Sequence, residues 1–276
     1  MIKIRPCAKI NLGLNIVSER SDGYHNLQTV FYPIPLCDEM MIEERKNEIG
    51  NGFSLSLSGI PVDGNMEDNL ITRAYRLLCR YHSLPPIHID IAKHIPNGAG
   101  LGGGSSDCAF TLRALNDMFD LNIPRQQLID YAATLGADCP FFILSEPAYG
   151  EGIGELLSPI KTLNLKGYYF ALVKPEVHIS TREAFSGIKC QYPKINPRDA
   201  IARPIEQWHQ LLTNDFESSL FPTHPEIARI KNRLYDMGAL YAQMSGSGSS
   251  VYGIFTKPIN RLSELFPEMF TYGCTL

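Results

Sequence analysis

In the segment IHIDIAKHI, Ile87, Ile89 and Ile91 alternate with His88, Asp90 and Ala92. A period of two sends neighbouring side chains to opposite faces of an extended chain, so this segment predicts a strand. The same alternation runs through KINLGLNIV. There Ile10, Leu12, Leu14 and Ile16 share one face and Lys9, Asn11, Gly13 and Asn15 the other. It returns in GFSLSLSGI, which groups Phe53, Leu55 and Leu57. DNLITRAYRLLCRYH has helical spacing instead, through Leu70, Ala74, Leu77 and Leu78, with Asp68 or Asn69 as its N-cap. A second helical run begins at Ser105 or Ser106 and carries Ala109, Leu112, Leu115 and Phe119. A third covers 124–135 and predicts Gly136 as a C-cap.

Beyond residue 145 the pattern is less regular. EGIGELLSPI reads as turn and strand, and GYYFALVKP as a strand with a proline stop. EQWHQLLTNDF and HPEIARIKNRLYDMGA read as helices. The second groups Ile227, Ile230, Leu234 and Met237 and stops at Gly238. ALYAQMSGSGSSVYGIF reads as strand, glycine turn and strand. Strands and helices mix without strict βαβ order and without an internal repeat, which predicts an α+β fold. A chain of 276 residues accommodates two domains. The expected division is 1–155 and 156–276, with the boundary inside 150–165.

Composition narrows the partners. Apolar residues make up 44% and charged residues 20%, and the net charge is −4, so bulk electrostatics favours neither nucleic acid nor an anionic membrane. No apolar run approaches 18 residues, and the N-terminus lacks the apolar core of a signal peptide. The seven cysteines are spread out and never form CxxC, which fits reduced thiols and a cytoplasmic location. The histidines form no HExxH motif, so no zinc site is expected.

The candidate chemistry lies in PNGAGLGGGSSD, between the isoleucine strand and the second helix. Five of the seven residues from Gly98 to Gly104 are glycine. A glycine turn at a helix N-terminus exposes backbone N–H groups, lets them approach closely and places them where the helix dipole favours an anion. Ser105 and Ser106 add hydroxyls. No Lys follows the glycines, which excludes a Walker A loop. Gly98, Gly100 and Gly103 satisfy GxGxxG, but the acidic residues about 20 positions on, Asp117 and Asp120, fall within or just past the helix, where a dinucleotide fold would have a strand end. HRD and DFG motifs are absent, which excludes a protein kinase.

PNGAGLGGGSSD resembles the second motif of the GHMP kinases. Three further stretches are similar to the branch that acts on 4-diphosphocytidyl-2-C-methyl-D-erythritol: AKINLGLNI with RSDGYHNLQTV, LGADCPFF with GEGIGE, and MSGSGSSVYGIF. The resemblance spans residues 8 to 255. It implies a two-domain fold, with a ribosomal-S5-domain-2-like N-terminal domain and a ferredoxin-like C-terminal domain. It implies ATP-dependent phosphorylation of the substrate 2-hydroxyl in the non-mevalonate route to isoprenoid precursors. The partners it implies are ATP and this small-molecule substrate, with a monomer or weak homodimer as the working unit.

Roles follow residue by residue. Lys9, read alone, belongs to a solvated strand face; the resemblance makes it the cation that activates the acceptor hydroxyl. Asp138, read alone, serves a turn or cap; the resemblance makes it the catalytic base. The ATP cradle is Pro96, Asn97, Gly98, Ala99, Gly100, Leu101, Gly102, Gly103, Gly104, Ser105 and Ser106, with Asn69 near the adenine. Magnesium accompanies ATP, and Ser105 or Ser106 touches it; no dedicated carboxylate is identified. Asn11 also belongs to the substrate site. Tyr24 stacks on the cytosine, His25 hydrogen-bonds it, and Phe185 takes its opposite face, with Ser180 and Thr181 lining the same pocket. Gly246, Ser247 and Gly248 form a supporting loop. Cys108 departs from the motif, where alanine is usual, and so do Ser145 and Pro147. The competing readings are another small-molecule GHMP kinase, for which DGYH has no purpose, and a nucleotide-binding protein without catalysis, which has no need of both Lys9 and Asp138.

Overall fold

The computed structural model describes residues 1–45 and 52–276. It divides into two compact units that are not contiguous in sequence. The first contains Met1–Ala8, Leu36–Asn97 and Gly102–Ser145, and the second contains Lys9–Pro35, Gly98–Leu101 and Glu146–Leu276. A single cut in the chain does not reproduce this partition.

The strands begin with β1 (Ile2–Ile4), followed by two long strands, β2 (Cys7–Glu19) and β3 (His25–Cys37). Residues 9–35 of that pair belong to the second unit. The first unit then adds β4 (Glu39–Glu44), β5 (Phe53–Gly59), α1 (Leu70–Cys79) and β6 (Ile87–Lys93). It ends with α2 (Gly103–Met118), α3 (Arg125–Leu135) and α4 (Cys139–Leu144). Its sheet has the order β1-β4-β6-β5, and only the β5–β6 pair is parallel. Ile87, Ile89 and Ile91 are buried as the alternation predicts, beside Met40 and Ile42 of β4. The Thr111 hydroxyl of α2 reaches Met40 Sδ at 3.6 Å, so α2 lies on this apolar face.

Of two expectations about helix ends, one is corrected and one holds. The helix α2 starts at Gly103, ahead of Ser105, with Gly102 as a left-handed N-cap at φ +71°. Glycine takes helical as well as left-handed backbone, so the glycine run itself supplies the cap and the first turn. Gly136 is the C-cap of α3 as expected, its N–H donating to Ala132 O at 3.1 Å, with an extended backbone at φ −179°. It is also crowded, since a Cβ there would lie 3.1 Å from Cys139 Sγ.

The second unit contains two sheets. One has the order β2-β3-β7-β8, closed by β7 (Ala148–Glu151) and β8 (Leu156–Pro159). The other uses β9 (Tyr169–Lys174), β10 (Tyr241–Met244), β11 (Val251–Phe255) and β12 (Phe270–Thr275), in the antiparallel order β10-β11-β9-β12. Between β9 and β10 run α5 (Thr181–Phe185), α6 (Pro197–Ala200), α7 (Trp208–Leu211), α8 (Asp215–Leu220) and α9 (Pro225–Asp236). A last helix, α10 (Leu262–Leu265), joins β11 to β12. Strand, helices, two strands, helix and strand in this order form the ferredoxin-like β-α-β-β-α-β pattern. Leu14, Ile16, Val173, Phe216, Ile227, Leu234 and Val251 share its core.

The EQWHQLLTNDF helix is corrected too. It breaks into a 3-10 turn at Ile205–Gln207, α7 and, beyond an extended Leu212, α8. Asn214 causes the restart: its Oδ1 caps α8 at Phe216 N, and its Nδ2 donates to Met244 O and Gly246 O, 30 or more residues away. No helix among the described residues is long and apolar enough to cross a membrane.

Candidate active site

The glycine loop is built by backbone that only glycine adopts readily. Gly98, Gly100 and Gly102 have φ of +57°, +74° and +71°. Gly100 is also enclosed, since a Cβ there would lie 1.9 Å from Ser245 O. Within the second unit this approach is held by three bonds. Ser245 Oγ donates to Gly100 O at 2.8 Å, Ser250 N to Ala99 O at 3.4 Å, and Lys9 N to Leu101 O at 2.9 Å. Gly246 closes from the other side, with its Cβ position 3.1 Å from Gly100 Cα and 3.5 Å from Asn11 Oδ1. Gly98–Leu101, Gly246, Lys9 and Asn11 thus form one neighbourhood, with Ser247 and Gly248 completing the supporting loop.

Within the first unit, Gly102–Ser106 form the cap and first turn of α2. A helix start leaves backbone N–H groups without intrahelical partners, where the dipole also favours an anion. Ser105 is half-buried and Gly104 exposed. Ser106 is fully buried and its Oγ has no hydrogen-bond partner. Pro96 is buried, and Asn97 anchors its exposed position by donating to Pro61 O at 3.0 Å.

Lys9 does not lie on a solvated face, because β2 is buried on both sides from Ala8 to Ile16. Lys9 is 3% exposed; its Nζ donates to Asn11 Oδ1 at 2.7 Å and stands 5.3 Å from the Phe31 ring centre. Asn11 Nδ2 donates to Thr29 Oγ1 at 2.9 Å, and Thr29 Oγ1 donates to Gly13 O at 2.5 Å. This relay fixes the rotamers of Lys9 and Asn11. Asp138, half-buried in the first unit, occupies the N-cap position of α4, but its side chain makes no capping bond.

In the second unit, His25 stacks on Phe185, with ring centres 4.6 Å apart and planes 30° apart. Phe185 meets Phe216 edge-on at 4.9 Å, which ties the pair to the core. Tyr24, by contrast, is 60% exposed. Ser180 caps α5 by accepting from Glu183 N at 3.1 Å, and Thr181 is its first residue. Asn69 is the N-cap of α1, accepting from Ile71 N at 2.9 Å, and also lines a cavity of about 280 Å³.

A buried ion triad in the first unit escaped the sequence reading. Lys93 Nζ donates to Asp38 Oδ2 and to Asp107 Oδ2. Asp38 Oδ1 accepts from Ile95 N at 2.8 Å and His94 N at 2.5 Å, which fixes the chain entering the glycine loop. A Cβ on Gly103 would stand 2.9 Å from Ile95 and 3.7 Å from Lys93 Nζ, so α2 begins directly against the triad. Burial pushes the Asp107 carboxyl up to about 7, against the attraction of Lys93. Burial also opposes the charge on Lys93, but the two carboxylates outweigh it and hold its pKa above the ordinary value. The only trace in the sequence is a lysine on the inward side of an isoleucine strand; its partners lie 55 and 14 positions away.

Comparison with known proteins gives a consistent picture. Residues 69–146 match the GHMP kinases N terminal domain, and residues 198–266 match the GHMP kinases C terminal domain. A Bacteroides thetaiotaomicron protein named 4-diphosphocytidyl-2-C-methyl-D-erythritol kinase is 55% identical, over 94% of this chain and 93% of its own length. Proteins of the same name from Bacteroides fragilis and Parabacteroides distasonis are 53% and 47% identical, each over at least 97% of both chains. A crystal structure of 4-(cytidine 5'-diphospho)-2C-methyl-D-erythritol kinase superposes with a TM-score of 0.82 at 29% identity, covering 99% of this chain and 98% of its own. The Methanococcus jannaschii mevalonate kinase superposes at 0.69 with 15% identity, covering 100% and 98%, a likeness of fold alone. With both domain models matched and relatives above 50% identity along nearly the whole chain, this protein belongs to the GHMP kinase family of small-molecule kinases.

Proposed function

We propose that this chain transfers the γ-phosphoryl group of ATP to the 2-hydroxyl of 4-diphosphocytidyl-2-C-methyl-D-erythritol, a step toward isoprenoid precursors. The observation that carries the reading is the 55% identity, over 94% of the chain, to a relative named for that substrate. The glycine backbone of Gly98–Gly104, with Ser105 and Ser106, holds the ATP phosphates. The family domains are taken as 1–155 and 156–276, and the matched segments 69–146 and 198–266 fall on either side of that boundary.

Phosphoryl transfer asks the protein mainly for positioning and charge stabilisation. Asp138 accepts the proton of the 2-hydroxyl as its oxygen attacks. Lys9 stabilises the developing negative charge at the acceptor oxygen, held at a fixed place by Asn11 and Thr29. His25, stacked on Phe185, presents its ring edge to the cytosine, and the exposed Tyr24 offers a face for stacking. Base stacking on an aromatic side chain contributes about 1–3 kcal/mol. The unpartnered Ser106 Oγ fits a contact to a phosphate oxygen or to magnesium, which supplies charge neutralisation to ATP when bound.

The test counts ADP formed from magnesium-ATP with the cytidylated methylerythritol, with homoserine and with mevalonate. Turnover with the first alone is expected; turnover with either other acceptor discards the cytidine pocket. Under the same conditions Asp138→Asn retains ATP binding and loses turnover by orders of magnitude, and unchanged turnover refutes the base.

A further inference from the structure

Asn214 joins several parts of the second unit and takes no part in the chemistry proposed above. It is 3% exposed, and both ends of its carboxamide are engaged. Its Oδ1 accepts from Phe216 N at 3.0 Å and so caps α8. Its Nδ2 donates to Met244 O at 2.8 Å and to Gly246 O at 2.9 Å. Its backbone bridges to Leu14 of β2, next to the bond from Leu14 N to Thr213 O at 2.8 Å. The side chain therefore links a helix start to the end of β10 and the glycine turn after it. The backbone links the same residue to the strand that carries Lys9 and Asn11.

The cap alone does not call for asparagine. Serine and aspartate cap a helix about as well, but neither brings two N–H donors. The donors are what sets Asn214 apart, and they go to the carbonyls on either side of Ser245. Ser245 is the residue whose Oγ donates to Gly100 O at 2.8 Å. Gly246 in turn closes on Gly100, its Cβ position 3.1 Å from Gly100 Cα. Asn214 thus holds the turn on both sides of the residue that holds the glycine loop.

We propose that Asn214 is a positioning residue for phosphoryl transfer. It fixes the turn at Ser245 and Gly246 against Gly100, so that the backbone amides of Gly98–Leu101 stand in place before ATP arrives. The assignment rests on the reading of this glycine backbone as the holder of the ATP phosphates. Glycine backbone is free to turn, and donors stabilise a transition state most when their place is set beforehand. Asn214 supplies that restraint from outside the loop.

Asn214→Ser in the full-length protein tests it, because serine keeps the helix cap and loses both donors. The kcat/KM for magnesium-ATP should fall about 10- to 100-fold, the scale of misplacing a reacting group by about an ångström. The KM for the cytidylated methylerythritol should stay within about threefold. Glu217→Gln is the matched control. It breaks the ion pair of the same helix with Lys231, keeps an acceptor for Met244 N and leaves both Asn214 donors in place. Its kcat/KM for ATP should stay within about threefold of wild type, with every variant assayed below its melting midpoint.

Unchanged kcat/KM in Asn214→Ser overturns the assignment. An equal loss in Glu217→Gln also overturns it, since the effect is then one of general stability, and so does equal weakening of both substrates. Should Asn214→Ser fail to fold, a crystal structure of wild type with a non-hydrolysable ATP analogue decides. A backbone N–H of Gly98–Leu101 on a phosphate oxygen, with Asn214 Nδ2 within about 3.2 Å of Gly246 O, supports the assignment, and the absence of either contact overturns it. Wild type that turns over no magnesium-ATP with this acceptor defeats the kinase reading itself, an outcome distinct from turnover that Asn214→Ser leaves unchanged.

Discussion

Lys9 and Lys93 are both strand lysines almost out of contact with water, at 3% and 2% exposure, and their company differs. Lys93 stands between Asp38 and Asp107 in the first unit. Lys9, in the second, hydrogen-bonds the neutral carboxamide of Asn11, which Thr29 in turn holds. Removing Lys93 strands two buried carboxylates. For Lys9 the proposed role is chemical rather than structural, and burial alone does not tell the two kinds of lysine apart.

The comparison predicts opposite phenotypes for one substitution. Lys9→Met should lower kcat by on the order of 10³-fold, the scale of losing one preorganised charge at the transition state. Steady-state kinetics checks this, and full activity removes the catalytic role. Lys93→Met should destabilise the fold by roughly 3–5 kcal/mol, the cost of breaking a buried ion pair on one side. Denaturant titration reads this; a loss below about 1 kcal/mol, a surface-pair value, breaks the contrast. The smallest effect concerns pH. The Asp107 carboxyl titrates near 7 when folded, against 3.8 for its ordinary value. A raised folded pKa gives stability that is complete below about 3.8 and is lost as pH rises toward 7 and the buried group ionises. Asp107→Asn should therefore flatten the decline in stability between pH 4 and 7, and an unchanged slope removes Asp107 as its source.

How far the sequence reveals these features depends on how local they are. The Asn69 cap, the isoleucine strand and the left-handed stop at Gly238, with φ +92°, are settled within a few residues and are legible. The loop motifs name candidate site residues, whose roles belong to the proposed function. The burial of Lys9 could not be read, because its alternation with Ile10 describes a half-exposed strand, whereas in the fold Phe31 of β3 and Leu101 of the glycine loop lie beside it. The triad was illegible for the same reason, since its members meet only when the turn before β4, the end of β6 and α2 pack. The break at Leu212 follows from Asn214 bonding to Met244 and Gly246, which outweighs local helix preference.

The contact between Gly100 and Ser245 sets an order of events during synthesis. The glycine segment leaves the ribosome early, but what fixes Ala99 and Gly100 in position is carried by Ser245 and Ser250, about 145 residues later. A nascent chain halted before that point has the sequence of a phosphate loop without its supporting wall. Domains generally fold as units as they emerge, yet here the backbone of Ala99 and Gly100 gains these partners only once Ser245 and Ser250, in the last eighth of the chain, are made.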